Sequence, residues 1–358
     1  MKKLLPIWLL LTGLLATAQI PAGYYNNATG TGYTLKTQLH NIIKNHTTKS
    51  YNQLYTCSQT SDRDYFYEND GTILDMYSEK PGGNDAYTFS ATNTGDRCGN
   101  YSSEGDCFNR EHLMPQSVFN EATPMVSDPH HVIPTDGKVN GMRSNYPFGM
   151  VTSPTWTSTN GCKLGNNSTP GYSGKVFEPI DEFKGDIARC LMYFAVRYQN
   201  NMASYSHGML NGTTNQSFSD WFLQILLTWH QQDPVSAKEI ARNNAIYAYQ
   251  NNRNPFIDHP EYACMIWSAG CALSVDDQIL ADLTLYPNPS QDGTVNIASG
   301  VQLTRVSIYD LNARMIADLR DPQASGDGTL TLQGLPSGFY LVRIEADGAS
   351  AVRKLVIQ

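Results

Sequence analysis

The chain has 358 residues, enough for two domains with a sizeable core, and its 41% apolar and 16% charged content excludes a disordered polymer. A formal net charge of −8 counts against a broad basic surface. Any phosphate chemistry would have to rest on a few arginines and a bound cation. At the N-terminus, Lys2 and Lys3 precede the apolar run Leu4 to Leu15, and Ala16-Thr17-Ala18 supplies small residues for cleavage. Residues 1–18 are therefore predicted to be a signal peptide, cleaved to leave Gln19 first. The run is shorter than the roughly 20 residues of a membrane span, and no later segment reaches that length. The seven cysteines include no CxxC pair, which fits an oxidising compartment and argues against a thiolate zinc site. Cys98 with Cys107, and Cys264 with Cys271, are spaced for bridging, but connectivity stays open, and the odd count leaves one cysteine over.

Residues 19–272 read as one mixed domain. Up to Ser168 the chain is rich in Gly, Asn, Asp and Tyr, which predicts turns and short strands. The chemistry concentrates between Cys107 and Gly149. His112 is the natural general base at neutral pH, and Glu111 offers a hard oxygen ligand to Mg²⁺ or Ca²⁺. Neighbours on a regular strand face opposite ways, so both can serve one site only where the strand ends or bulges, as Pro115 suggests. Further on, Pro134, Thr135 and Asp136 read as a turn with a helix N-cap, and Lys138 to Ser144 as two helical turns stopped by Asn145-Tyr146-Pro147. Asn140 and Arg143, three apart, share a helix face, where an amide oxygen and a guanidinium suit a cation beside a phosphate. The pair His130-His131 reads as structural, since no third ligand stands at metal spacing.

From Lys184 to Gln250 the pattern is helical. Ile187, Leu191, Phe194, Ala195 and Tyr198 recur at helical spacing, Phe218 to His230 is a compact apolar helix, and Ser236 with Glu239 makes a capping box. Glu178, Asp181, Lys184, Asp186 and Arg189 cluster at the start of the first helix and are assigned to folding and electrostatic support. Beyond about Leu273 come alternating β-rich runs separated by Gly, Pro, Asp and Asn turns, predicting a β-sandwich of roughly seven strands.

That tail resembles the type A sorting domain of the type IX secretion system. The resemblance rests on Tyr286-Pro287-Asn288-Pro289, "IYDLNARMI", "GLPSGFYLVRI" and the ending Arg353-Lys354-Leu355-Val356-Ile357, over residues 283 to 358. The preceding domain resembles the endonuclease I family of ββα-metal (His-Me finger) nucleases. Arg110-Glu111-His112 and Pro115 match the first part of its pattern; Asp128, His130 and Pro134 the second; Val139-Asn140 and Arg143-Ser144-Asn145 the third. The similarity runs from about Tyr33 to Asp258. His131 stands where the family usually has Asn, Pro129 replaces an apolar residue, and Leu113-Met114 replace a valine–tryptophan pair.

The resemblance implies an α+β fold: a ββα-metal core with supporting helices over residues 19–272, followed by an all-β sandwich over 273–358. It implies His112 as general base, Glu111 and Asn140 as metal ligands and Arg143 as the substrate-binding residue. Mg²⁺ is the first expectation for the cation, with Ca²⁺ or Mn²⁺ as alternatives. The expected substrates are DNA and RNA, cut without sequence preference to leave 5′-phosphate ends. The expected protein is a monomer, exported through the periplasm by the type IX machinery to the medium or the cell surface. Two other readings are open to the same residues: an RNA-restricted nuclease, and a non-catalytic surface adhesin that uses metal only for shape.

Overall fold

A computed structural model describes residues 20–267, 283–310, 314–325, 328–346 and 349–358. The predicted signal peptide lies outside them. The chain divides into two compact units, residues 1–270 and 271–358, and among the described residues no helix is long and apolar enough to cross a membrane.

The N-terminal unit mixes helix and sheet. Helices α1 (Gly32–Ile43) and α2 (Leu54–Ser61) precede the antiparallel pair β1 (Phe108–His112) and β2 (Val132–Asp136), which runs directly into α3 (Gly137–Arg143). A second antiparallel sheet of β3 (Val151–Thr157), β4 (Lys163–Asn167) and β5 (Lys175–Glu178) follows. Then come α4 (Lys184–Arg197), α5 (Asp220–Gln232), α6 (Ala237–Gln250), α7 (Pro255–Asp258) and α8 (Tyr262–Ile266).

Helix α4 is the centre of this unit: every residue from Lys184 to Val196 is buried. Its closeness to the end of α5 depends on Gly185, where an added Cβ would run into the Asp233 carbonyl and the Arg189 guanidinium. The capping box of α6 forms as predicted, with Ser236 and Glu239 each bonding the other's backbone. Two expectations need correction. Pro134 and Thr135 belong to β2, not to a turn, although Asp136 does cap α3. Helices α1 and α2 occupy a stretch read as turns and strands; burial of Leu35, Leu39 and Ile43 along one face outweighs the weak helix formers around them.

The charged cluster at the start of α4 forms a network that is buried except for the exposed Asp181. Lys184 binds Glu178 at 2.8 Å and Asp181 at 2.6 Å, Lys238 binds Asp186 at 2.5 Å, and Arg189 takes both oxygens of Glu239 at 2.5 and 2.8 Å. Cys98 and Cys107 are bridged, and Cys264 is also disulfide-bonded, though its expected partner Cys271 lies outside the described residues. Among the described residues Cys57, Cys162 and Cys190 are free and buried, so three thiols stand where the odd count required at least one.

Among the described residues the C-terminal unit has seven strands: β6 (Thr284–Tyr286), β7 (Val295–Ala298), β8 (Arg305–Asp310), β9 (Met315–Arg320), β10 (Thr329–Leu332), β11 (Gly338–Ala346) and β12 (Ala349–Ile357). They form a three-stranded sheet ordered β10-β7-β6 and a four-stranded sheet ordered β12-β11-β8-β9. Alternate residues such as Tyr340, Val342 and Ile344 of β11 bury one face with Val295, Ile297, Val306 and Leu355.

Removing Arg189 would leave Glu239 and Asp186 buried without their guanidinium. Arg189→Ala should lower the unfolding free energy by about 3–5 kcal/mol, read by urea denaturation. A loss below about 1 kcal/mol would show that the network does not anchor α4 to α6.

Candidate active site

The ββα unit builds the site. Strand β1 pairs with β2 without a register shift, from Phe108 opposite Asp136 to His112 opposite Val132. Asp136 joins strand to helix: its Oδ1 accepts from Val139 N at 2.8 Å, its Oδ2 from Gly105 N at 2.8 Å, and its own N donates to Asp75 Oδ2 at 2.7 Å. The Cys98–Cys107 bridge packs over the first turn of α3, where a Cβ at Gly137 would strike the Cys98 sulfur.

Glu111, His112, Asn140 and Arg143 all line one cavity of about 260 Å³, together with Tyr51, Arg110 and others. The adjacency of Glu111 and His112 is resolved because β1 ends at His112; no bulge is involved. Glu111 is buried, and its Oε1 accepts from Tyr77 Oη at 3.0 Å and Arg143 Nη1 at 2.9 Å. Burial pushes the Glu111 carboxyl above the ordinary carboxylate range, while the Arg143 charge and the Tyr77 hydroxyl pull the other way. The Asn140 side chain, half-buried on α3, makes no hydrogen bond to the protein.

His112 is buried, its ring between Tyr51, Phe119 and His131 at centroid distances of 5.7, 6.0 and 6.0 Å. Its Nε2 lies 3.0 Å from the Val126 carbonyl, which can only accept, so Nε2 carries the hydrogen and Nδ1 keeps its lone pair. Burial, then the neighbouring His131, pushes the His112 pKa down to about 3, so the ring is neutral at pH 7. Arg143 is buried on α3. It donates from Nη1 to His112 O at 2.8 Å and from Nη2 to Leu113 O at 2.7 Å, while its Nε–H has no partner.

Sequence reasoning assigned no role to Tyr77, Asp75 or Tyr51. The first two lie more than thirty residues before β1, outside any motif, and only the fold brings them to Glu111 and Asp136. Arg110 was visible in the motif, but not its stacking on Tyr51 at 3.6 Å and Tyr55 at 4.3 Å. His130 and His131 are fully buried and bond the carbonyls of Asn252 and Met125 at 3.1 and 2.8 Å. Asp128 accepts from Tyr193, Tyr198, Gln250 and the His130 backbone, tying the segment before β2 to α4 and α6.

The model of the endonuclease I family matches residues 31–261, and that of the secretion system C-terminal sorting domain matches residues 284–358. An extracellular ribonuclease of Bacillus amyloliquefaciens is 37% identical over 250 residues, covering 68% of this chain and 78% of that protein. An extracellular ribonuclease of Bacillus subtilis is 34% identical over 269 residues, covering 72% and 84%. An Endonuclease-1 of Buchnera aphidicola is 27% identical over 132 residues, covering 37% and 46%. The sorting domain marks the chain as cargo for secretion or the cell surface. With its ββα site and these matches, the chain belongs to the endonuclease I family, nucleases that hydrolyse phosphodiester bonds.

Proposed function

We propose that this secreted nuclease cuts both DNA and RNA with little sequence preference, leaving 5′-phosphate ends. In this reading His112 is the general base, Glu111 and Asn140 hold one divalent cation, and Arg143 contacts a phosphate oxygen. The observation that carries it is the presence of all four side chains on one polar cavity at the end of β1.

The residues fit a hard cation. The Glu111 carboxylate and the Asn140 amide place hard oxygen donors on the cavity wall, and a positive ion would offset the cost of burying the carboxylate. When bound, Mg²⁺ or a similar ion supplies the positive charge needed as the bond to the 3′ oxygen breaks. His112 does the proton work. Its Nδ1 takes the proton of the attacking water while Nε2–H stays on Val126 O, which fixes the ring in a productive tautomer. The water oxygen bonds phosphorus, the bond to the 3′ oxygen breaks, and that oxygen is protonated from solvent.

Arg143 has five N–H donors. Those to His112 O, Leu113 O and Glu111 hold the end of β1, and in this reading the second N–H of Nη2 serves the phosphate. Contacts to phosphate carry no sequence information, hence the broad specificity. The ribonuclease names of two relatives favour one alternative, an enzyme restricted to RNA.

Plasmid DNA and RNA digested in parallel should both be cut, and excess chelator should stop both reactions. Cleavage of RNA alone would replace the dual-substrate reading. His112→Ala should lower kcat by about 10²- to 10⁴-fold with folding and cation affinity nearly unchanged, whereas an adhesin would show no hydrolysis in either form. Tyr77→Phe, which loosens Glu111, should raise the cation concentration for half-maximal rate by about 10- to 100-fold. Glu111→Gln and Asn140→Ala should raise it at least as much. An unchanged cation dependence in both ligand variants refutes the ligand assignment.

A further inference from the structure

Away from the catalytic cavity, the side chains of Asp64, Glu68 and Glu79 bring one carboxylate oxygen each to within 4.8 Å of one another. Acidic clusters are common on proteins, but Glu79 sets this one apart. It is only 1% exposed, and neither of its carboxylate oxygens has a hydrogen-bond partner. A buried carboxylate without a donor is costly, and two further carboxylates beside it raise the cost. The nearby Lys238 is engaged elsewhere, with Asp186 at 2.5 Å.

Asp64 is organised as an anion. Its Oδ1 accepts from the backbone N–H of Phe66 and Tyr67 at 3.0 Å each, and its Oδ2 from those of Glu68 and Asn69 at 3.0 and 3.2 Å. The chain from 64 to 69 thus wraps around the Asp64 carboxylate and carries the exposed Glu68 to the open side of the cluster. Each carboxylate oxygen has two lone pairs, so these hydrogen bonds leave room for a further ligand.

We propose that Asp64, Glu68 and Glu79 form a second divalent-cation site, suited to Ca²⁺, that ties the 64–69 loop to the segment ending at Glu79. The donor set is all hard oxygen, without imidazole or thiolate, which selects Ca²⁺ over zinc; water would complete its six to eight ligands. The bound ion would neutralise Glu79 and hold in place the stretch that carries Asp75 and Tyr77, which contact Asp136 and Glu111. Asp64, Glu68 and Glu79 lie outside the catalytic cavity and would bind the ion whatever reaction occurs there. The competing explanation is a proton: without a cation, burial first, then Asp85, Glu68 and Asp64, push the Glu79 carboxyl up to about 8.

The test uses the full-length protein stripped with chelator, dialysed, and titrated with CaCl₂ alone, read by calorimetry and by thermal midpoint. The Glu111→Gln/Asn140→Ala double variant removes the cavity ligands. It should still bind Ca²⁺ and gain about 5–10 °C in Tm at roughly 100 times Kd. Adding Glu79→Gln or Glu68→Gln to it should abolish both signals. Because Glu68 is exposed, its variant decides the matter if the Glu79 variant does not fold. No calcium response in the double variant overturns the proposal, as does a response that survives Glu68→Gln. Stabilisation by Glu79→Gln without any calcium response would place a proton, not a cation, on Glu79.

Discussion

The Arg143 guanidinium is the constraint from which the site is built. From α3 it reaches back to the carbonyls of His112 and Leu113 and to the Glu111 carboxylate, all within 2.9 Å. One planar cation therefore fixes where β1 stops and how far α3 stands from it. A lysine could not do this, because a single ammonium lacks the planar fork that reaches several acceptors at once. The pair sits in a buried place where a lone carboxylate or a lone guanidinium would be very costly, so each group holds the other in position.

Around that clamp the fold supplies a rigid frame through buried polar groups more than through the sheet, which in the ββα unit has only two strands. Asp128 gathers two tyrosine hydroxyls, a glutamine amide and a backbone N–H from α4, α6 and its own turn. His131, standing where the family usually has asparagine, packs on Phe194 at 4.7 Å and bonds Met125 O. It acts on the site indirectly, as part of the apolar wall that keeps His112 desolvated and neutral. The supporting helices are thus a condition of the chemistry as well as of stability.

The net charge of −8 and a phosphate substrate are compatible because attraction is local. Arg110, stacked on two tyrosines, and Arg143 both line the cavity, and the proposed cation would add to them. Weak long-range attraction also favours release of cut product, since each phosphate contact strengthens binding and its salt dependence.

Residue order alone revealed the capping box of α6, the β-rich tail and the four side chains that meet in the cavity. These are local signals: short-range periodicity, a cap three residues from its partner, and motif residues carried by one β1–β2–α3 run. It misread α1 and α2, where burial of Leu35, Leu39 and Ile43 decides in favour of helix. It also could not place Tyr77 on Glu111, Asp75 on the start of α3, or Val126 O on His112. Those contacts join segments far apart in the chain, and nothing in residue type or spacing encodes which distant hydroxyl or carbonyl will fill a buried polar need. Only the folded chain, in which every buried donor and acceptor competes for a partner, decides it.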